Sequence, residues 1–211
     1  KTHFIRFNGC DYRCSWCDTL DAVLPEQIKL HSQIMGVSEI MQCVRALPPA
    51  GMVTLSGGNP AIHGSKMFPL LEALHLHGFK IALETQGSIA KDWFYLIDHV
   101  VISPKPPSSQ MSTDWIALDA CVRQCRTPPA MKVVVFDSED LCYALHVYRR
   151  YGDLPFYLSV GCPPGMESKS LEELNDHYRK LADNILKLPD FRDVYVLPQL
   201  HKYLFGFGRG V

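Results

Sequence analysis

Three cysteines within eight residues constrain this chain more than any other feature of its sequence. Cys10, Cys14 and Cys17 form a CxxxCxxC loop that directly follows a short apolar run, residues 3–7. Thiolates are the ligands of iron–sulfur clusters and of many structural zinc sites. A loop with these spacings can wrap three corners of a four-iron cube and leave the fourth iron open to a small molecule. We therefore interpret the loop as the holder of a 4Fe-4S cluster.

Two other interpretations of the loop stay open on the residues alone. A structural zinc site needs four closed ligands, and the chain has no second CxxC pair. A disulfide between Cys14 and Cys17 would leave Cys10 unexplained. Cys121 and Cys125 are four residues apart, so they share a helix face and we interpret them as structural. We expect the remaining helical cysteines, Cys43 and Cys142, to be small core residues.

Composition limits the class of protein. A chain of 211 residues with 47% hydrophobic and 20% charged residues is large enough for one domain, which we expect to span residues 1–211. The net charge of −1 gives no basic surface for nucleic acid or for a membrane. No apolar run approaches the roughly 18 residues that a membrane span requires. These features predict a cytoplasmic protein.

Short apolar runs alternate with helical patterns along the chain. The strand-like runs are residues 3–7, 52–55, 80–84, 100–102, 132–136, 156–160 and, shorter, 194–196. The helical patterns are residues 38–47, 66–77, 93–97, 115–125, 138–151 and 170–188, with Ser38 and Ser138 as expected N-caps. This alternation predicts an α/β fold with a parallel sheet. Because six or so βα units are too few for a closed eight-stranded barrel, we expect a partial, open β/α barrel.

The unusual loops all follow predicted strands. Residues 9–19, 56–60, 85–87 and 103–107 come after the first four strands, and Ser159 ends the sixth. In parallel α/β folds the functional site lies at the carboxyl ends of the strands. We therefore expect these loops to meet at one edge.

Two of these loops resemble those of the radical S-adenosylmethionine superfamily. Trp16 stands just before the last cysteine, as an aromatic residue does in that superfamily. Residues 55–60, Leu-Ser-Gly-Gly-Asn-Pro, resemble its glycine-rich motif, in which many members carry glutamate where this chain has Asn59. The resemblance implies that S-adenosyl-L-methionine chelates the fourth iron and is cleaved to a 5′-deoxyadenosyl radical.

Further motifs resemble one family, the 7-carboxy-7-deazaguanine synthases. They are Asp18-Thr19, residues 82–87 (Ala-Leu-Glu-Thr-Gln-Gly), residues 102–106 (Ile-Ser-Pro-Lys-Pro), residues 197–202 and Arg209-Gly210-Val211. Members of this family begin with a further segment that holds a glycine-rich, glutamate-containing substrate loop. This chain opens at Lys1, already at the first strand, so we expect such a segment to precede it.

The resemblance implies a role for each matching residue. Cys10, Cys14 and Cys17 bind the cluster, and Thr19 binds Mg²⁺, although a threonine turn that ends the loop is the alternative. The implied cofactor-binding residues are Trp16, Gly58, Thr85, Gln86, Ser103, Pro104, Lys105 and Ser159. The implied substrate-binding residues are Arg6, Ser56, Glu84 and His201. The alternative for Arg6 is an outward strand charge, and that for Ser103, Pro104 and Lys105 is a structural proline turn. The alternatives for Glu84 are a cofactor contact and an ion pair with Arg6 or Lys105. His201 is otherwise a surface or helix-end histidine.

The implied reaction is a Mg²⁺-dependent radical ring contraction. It converts 6-carboxy-5,6,7,8-tetrahydropterin to 7-carboxy-7-deazaguanine with loss of ammonia, on the way to queuosine and other deazapurines. The resemblance also implies a flavodoxin-type electron donor and a homodimer. The rival interpretations are another radical enzyme, such as a glycyl-radical activating protein, and a non-catalytic zinc-binding interaction module.

Overall fold

The structure is a computed structural model, which describes residues 1–162 and 171–206. The chain divides into two compact units. The first comprises Lys1–Tyr12, Thr19–Ile102 and Asp114–Pro129, and the second comprises Arg13–Asp18, Ser103–Thr113 and the described part of Ala130–Val211. The single domain over residues 1–211 stays a prediction. The motif Arg209-Gly210-Val211 and the first residue of the predicted helix 170–188 lie outside the described residues.

The first unit is built on four parallel strands that are hydrogen-bonded in chain order. They are β1 (Thr2–Phe7), β2 (Met52–Gly57), β3 (Lys80–Thr85) and β4 (His99–Ile102). Its α-helices are α1 (Pro25–His31), α2 (Val37–Ala46), α3 (Phe68–Leu76) and α4 (Trp115–Gln124). Three 3-10 helices, Leu20–Ala22, Pro60–Met67 and Asp92–Leu96, complete the connections.

The two faces of this sheet differ in chemistry because successive strand residues point to opposite sides. Val53, Leu55, Ile81 and Leu83 are fully buried on one face, where helix α3 packs on β3. The opposite face is open towards the carboxyl ends of the strands, where Arg6 and Glu84 are exposed and Ser56 is half-buried. Strands of a parallel sheet are ordinarily apolar on both faces, so an open polar face marks a place for a ligand.

The second unit contains three parallel strands in chain order, β5 (Ala130–Val135), β6 (Phe156–Val160) and β7 (Val194–Leu197). Its helices are α5 (Ser138–Tyr151), α6 (Leu171–Lys187), α7 (Leu200–Phe205) and the 3-10 helix Pro107–Ser109. Helix α5 packs on β5, and the ring of Tyr148 meets that of Phe156 edge-on at 5.2 Å. Val133 and Leu158 fill the core between the helices and the sheet.

The predicted α/β class with parallel strands is confirmed, and every predicted strand corresponds to an observed one. Both predicted N-caps are wrong by one or two residues. Asp137 caps α5 by accepting a hydrogen bond from the Asp140 N–H, and α2 begins after Gly36, whose N–H donates to Glu39 at 2.6 Å. The predicted helix 93–97 is the 3-10 helix Asp92–Leu96, and the short helices α1 and α7 were not predicted.

Two cysteines expected in the core are on the surface. Cys43 in α2 and Cys142 in α5 are both exposed, because they lie on the outer sides of amphipathic helices. None of the helices in the described part of the chain combines the length and the apolar character needed to cross a bilayer.

Candidate functional site

In the first unit the loop after β2 lies directly against the start of the cysteine loop. The Gly58 N–H donates to the Phe7 carbonyl at 2.9 Å, and the Asn59 N–H donates to the Gly9 carbonyl at 2.8 Å. A Cβ at Gly58 would lie 2.0 Å from the Gly9 carbonyl oxygen, and Gly57 has φ +126°. Only glycine allows this approach of two backbones. The glycine pair therefore fixes where the cysteine loop begins.

Asn59 connects the loops that follow β1, β2 and β3 through side-chain hydrogen bonds. Its side chain is fully buried, and its Nδ2 donates to Asp11 Oδ1 at 2.8 Å and to Ser88 Oγ at 3.2 Å. Its Oδ1 accepts hydrogen bonds from Ala61 N at 3.2 Å and from Thr85 Oγ1 at 3.0 Å. The amide thus uses two donors and two acceptor positions inside the protein. The predicted meeting of the loops after β1, β2 and β3 is confirmed.

Gln86 connects this network to the first cysteine. Its Nε2 donates to Asp11 Oδ1 at 2.7 Å and to Cys10 Sγ at 3.6 Å. The same sulfur accepts from the Tyr12 N–H at 3.4 Å. Hydrogen bonds to a ligating sulfur stabilise the thiolate and tune the potential of a cluster. Gln86 therefore acts on the predicted ligand Cys10, while Thr85 is buried and supports Asn59.

The polar face of the first sheet carries three predicted substrate-binding residues on three neighbouring strands. Arg6 on β1 is paired in register with Ser56 on β2, whose hydroxyl donates to Glu84 Oε2 on β3 at 2.8 Å. The Arg6 guanidinium lies over the Phe4 ring, 5.4 Å from its centroid. A guanidinium, a hydroxyl and a carboxylate on one open face can bind a polar heterocycle that carries a carboxylate.

Thr19 stands at the start of the 3-10 helix Leu20–Ala22. Its carbonyl accepts from the Ala22 N–H at 2.9 Å, whereas its hydroxyl makes no capping bond to that helix. The turn is thus closed by the backbone. Both the Mg²⁺ role of Thr19 and its alternative, a threonine turn that ends the loop, stay predictions.

In the second unit the indole of Trp16 is held on three sides. Its Nε1–H donates to Ser108 Oγ at 3.0 Å, and its ring lies 5.0 Å from the Phe136 ring. Lys105 Nζ lies 5.8 Å from the centroid of the indole, and it donates to Ser103 Oγ at 3.4 Å. These contacts fix the residue between Cys14 and Cys17.

A buried carboxylate that was not predicted from the sequence supports this arrangement. Asp140 is fully buried and accepts from both the N–H (3.0 Å) and the hydroxyl (2.6 Å) of Ser108. Ser108 and Ser109 in turn hold Ser15, whose hydroxyl donates to the Ser108 carbonyl at 2.7 Å. A buried carboxylate is stable only where several donors reach it. The one sequence signal, an aspartate in the first turn of α5, suggested a helix start and nothing more.

His201 lies on α7 and is half-buried. Burial lowers its pKa, the positive charges of Lys202 and Lys132 act in the same direction, and Asp18 opposes them. The imidazole is therefore neutral near pH 7 and can both donate and accept a hydrogen bond.

Two further predicted cofactor-binding residues of the second unit are buried. Ser159 is buried on β6, where it pairs in register with Val134. Pro104, two residues after the last residue of β4, is buried.

The cysteines fall into two groups. Burial raises the pKa of Cys121 to about 12, with the charge of Cys125 adding to the effect, and burial raises that of Cys125 to about 11. These two thiols stay protonated at neutral pH, as the structural interpretation predicts. The three loop cysteines form no disulfide and are partly exposed.

The donor set of the loop fits an iron–sulfur cluster. It offers three partly exposed cysteines that form no disulfide, and the N–H groups of Tyr12 and Gln86 donate to the sulfur of Cys10. Within residues 1–162 and 171–206, no three histidine, cysteine, aspartate or glutamate side chains are grouped as ligands of a single metal ion.

Three solved structures share the fold of this chain. QueE from Escherichia coli has a TM-score of 0.62 and 17% identity, and the match covers 93% of this chain and 85% of QueE. Streptococcus suis SuiB bound to S-adenosylmethionine has a TM-score of 0.58 and 12% identity, with 94% of this chain and 46% of SuiB covered. The protein anSMEcpe with bound AdoMet has a TM-score of 0.58 and 16% identity, with 100% of this chain and 67% of anSMEcpe covered. The fold is the open, partial β/α barrel of radical S-adenosylmethionine enzymes, so the predicted fold class is confirmed.

Comparison with named relatives shows to which family within this fold class the chain belongs. The chain is 40% identical over 220 residues to a 7-carboxy-7-deazaguanine synthase of Bacillus cereus and 38% identical over 224 residues to that of Bacillus subtilis. Each alignment covers 100% of this chain and 90% of the relative. No family model matches the chain. The chain belongs to the 7-carboxy-7-deazaguanine synthase family.

Proposed function

We propose that this enzyme converts 6-carboxy-5,6,7,8-tetrahydropterin to 7-carboxy-7-deazaguanine with loss of ammonia. The observation that carries the proposal is the 40% identity to a named synthase over the whole chain. The polar face formed by Arg6, Ser56 and Glu84 supports it, because a substrate with a carboxylate and several ring N–H groups matches these side chains.

Cys10, Cys14 and Cys17 hold a 4Fe-4S cluster in this proposal, on the basis of their spacing. When bound, the cluster and S-adenosyl-L-methionine would supply the 5′-deoxyadenosyl radical chemistry for hydrogen abstraction at the carbon bearing the substrate carboxylate. The chain itself orients the ligands and excludes water. The cofactor is bound in the first unit by Gly58, Thr85 and Gln86, and in the second unit by Trp16, Ser103, Pro104, Lys105 and Ser159. Thr85 also donates a hydrogen bond to Asn59.

Thr19 supplies a hydroxyl to Mg²⁺, which prefers oxygen ligands and retains water. Arg6 binds the substrate carboxylate through its guanidinium, and Glu84 accepts ring N–H groups while Ser56 holds it in place. His201 donates from a neutral imidazole.

The remaining partners follow from the same proposal. A flavodoxin-type protein delivers the electron, and the enzyme is a homodimer that binds neither nucleic acid nor membrane, in keeping with a net charge of −1. Eight cysteines without a disulfide are in keeping with a cytoplasmic location.

Anaerobic reconstitution with iron and sulfide tests the proposal, with Cys14→Ala as the variant and Cys142→Ala, an exposed cysteine of α5, as its matched control. We expect brown wild-type and control proteins that form the deazaguanine chromophore from the carboxy-tetrahydropterin. Cys14→Ala should lack both colour and activity. A colourless wild-type protein that retains one Zn²⁺ would favour the interaction module. A brown protein that cleaves S-adenosylmethionine but leaves the pterin unchanged would favour another radical enzyme.

A further inference from the structure

We propose that the carboxylate of Asp11 binds the amino group of the methionine part of S-adenosyl-L-methionine. This inference rests on the proposed function and adds to it a residue that neither the motifs nor the resemblance singled out. Asp11 directly follows the first cluster ligand, Cys10. The inference depends on the position of its carboxylate, on the way that carboxylate is held, and on the charge it leaves exposed.

The carboxylate lies beside the sulfur of Cys10. One donor atom, Gln86 Nε2, reaches both Asp11 Oδ1 at 2.7 Å and Cys10 Sγ at 3.6 Å. A shared donor places the carboxylate and the sulfur on the same side of the loop. A ligand that binds beside Cys10 would therefore lie close to a negative charge.

The carboxylate is held in one orientation. Asn59 Nδ2 donates to the same oxygen, Oδ1, at 2.8 Å. Both amides are themselves fixed, since Asn59 is fully buried and Gln86 is only 6% exposed. A ligand group that is already oriented costs less conformational entropy on binding than a freely rotating one.

The other carboxylate oxygen remains for a ligand. Both amides bind Oδ1, and within the described residues Oδ2 accepts no hydrogen bond and Asp11 forms no ion pair. Asp11 is exposed, whereas the amides behind it are buried. The network therefore presents one anionic acceptor on its outer side.

The chemistry of the cofactor indicates which of its groups binds the Asp11 carboxylate. S-adenosylmethionine has two cationic centres in its free form, the sulfonium and the amino group, and of these two only the amino group has N–H bonds to donate. The N–H groups of the adenine and the hydroxyls of the ribose are donors too, but they carry no charge. A carboxylate oxygen with a free acceptor position suits an N–H donor, and such charge-assisted bonds are the strong ones. A purely structural role does not require the charge, because the amide oxygen of asparagine accepts the same two bonds.

Asp11→Asn tests the charge alone, because asparagine keeps an oxygen for Asn59 and Gln86. Asp153→Asn is the matched control, an exposed aspartate in the turn before β6. Reconstituted proteins with equal iron content are titrated anaerobically with three probes. They are S-adenosylmethionine, S-adenosylhomocysteine, which has the amino group but no sulfonium, and 5′-methylthioadenosine, which has neither.

We expect Asp11→Asn to bind the first two probes about tenfold or more weakly, and to bind 5′-methylthioadenosine as the wild type does. The control should match the wild type with all three. Unchanged affinities would overturn the inference, as would a loss confined to S-adenosylmethionine (a sulfonium contact) or an equal loss with all three probes (general damage). Failure of the brown wild-type protein to bind S-adenosylmethionine would instead overturn the proposed function itself.

Discussion

The hydroxyl of Ser56 donates a 2.8 Å hydrogen bond to Oε2 of Glu84 across two neighbouring parallel strands. Both side chains lie on the open face of the first sheet, so the bond orients a carboxylate that faces solvent rather than the core. An exposed hydrogen bond adds little stability, because water competes for both partners. Its value is in fixing the direction of the acceptor before a ligand arrives.

Glu84→Gln should therefore weaken substrate use more than stability. We expect kcat/KM for the carboxy-tetrahydropterin to fall by about tenfold or more, since a charge-assisted hydrogen bond is lost. Ser56→Ala should give a smaller loss in the same direction. Steady-state kinetics measure both, with Glu72→Gln, an exposed glutamate of α3, as the control. An equal loss of affinity for S-adenosylmethionine would place Glu84 in the cofactor site instead.

Thr19→Ala should abolish the stimulation of activity by Mg²⁺ while the iron content stays at the wild-type level. The reason is that the hydroxyl does not cap the helix Leu20–Ala22, so its removal leaves the turn closed by the backbone. Thr19→Ser, which keeps the hydroxyl, should retain most of the stimulation. Initial rates over a Mg²⁺ titration measure the effect. An unchanged Mg²⁺ dependence in the alanine variant would show that another group binds the metal.

Ser108→Ala should destabilise the protein through two partners at once. The indole N–H of Trp16 loses its acceptor, and the buried carboxylate of Asp140 loses its hydroxyl donor. We expect a loss of about 1–3 kcal/mol in the free energy of unfolding, measured by urea denaturation of the apo-protein. Ser138→Ala is the control, because the sequence predicts Ser138 as the N-cap of α5 whereas Asp137 is the N-cap in the structure. That variant should stay within about 0.5 kcal/mol of the wild type, and a large loss there would contradict the cap assignment.

Most of the fold could be predicted because its signals are local. Residues 52–55 are apolar or β-branched, and Ile81 and Leu83 are fully buried within the run 80–84, since these side chains fill the core of a parallel sheet. The loops after β1 to β3 could be expected to meet because the carboxyl ends of parallel strands share an edge. The cap of α5 was predicted one residue too late, since Asp137 and Ser138 are both good N-caps and are adjacent.

The support of the site could not be predicted, since its partners are distant in sequence. Asp140 binds Ser108 across 32 positions, and Asn59 binds Asp11 across 48. No pattern within either segment indicates such a bond. The predicted burial of Cys43 and Cys142 was wrong for another reason: an amphipathic helix can carry a small residue on its buried or on its exposed side at little cost in free energy.

The stability of the protein should fall as the pH drops below 6.5, in part because of His63. Its Nε2 pairs with the Asn8 carbonyl at 3.0 Å and its ring lies 5.2 Å from that of Phe7. Burial lowers the pKa of His63 from 6.5, the charge of Lys66 lowers it further, and the Asn8 carbonyl opposes both. The unfolded chain therefore takes up a proton before the folded protein does. The contribution of His63 to stability is complete above pH 6.5 and is lost as the pH falls towards the folded pKa.

His63→Gln should flatten this decline, because glutamine keeps an N–H for the Asn8 carbonyl and does not titrate. His201→Gln should act in the same direction, since burial lowers the pKa of His201 as well. Urea denaturation of the apo-protein at a series of pH values on both sides of 6.5 measures the effect. A decline of unchanged steepness in His63→Gln would mean that the folded protein protonates His63 as readily as the unfolded chain does. The burial of its ring against Phe7 would then have no electrostatic consequence.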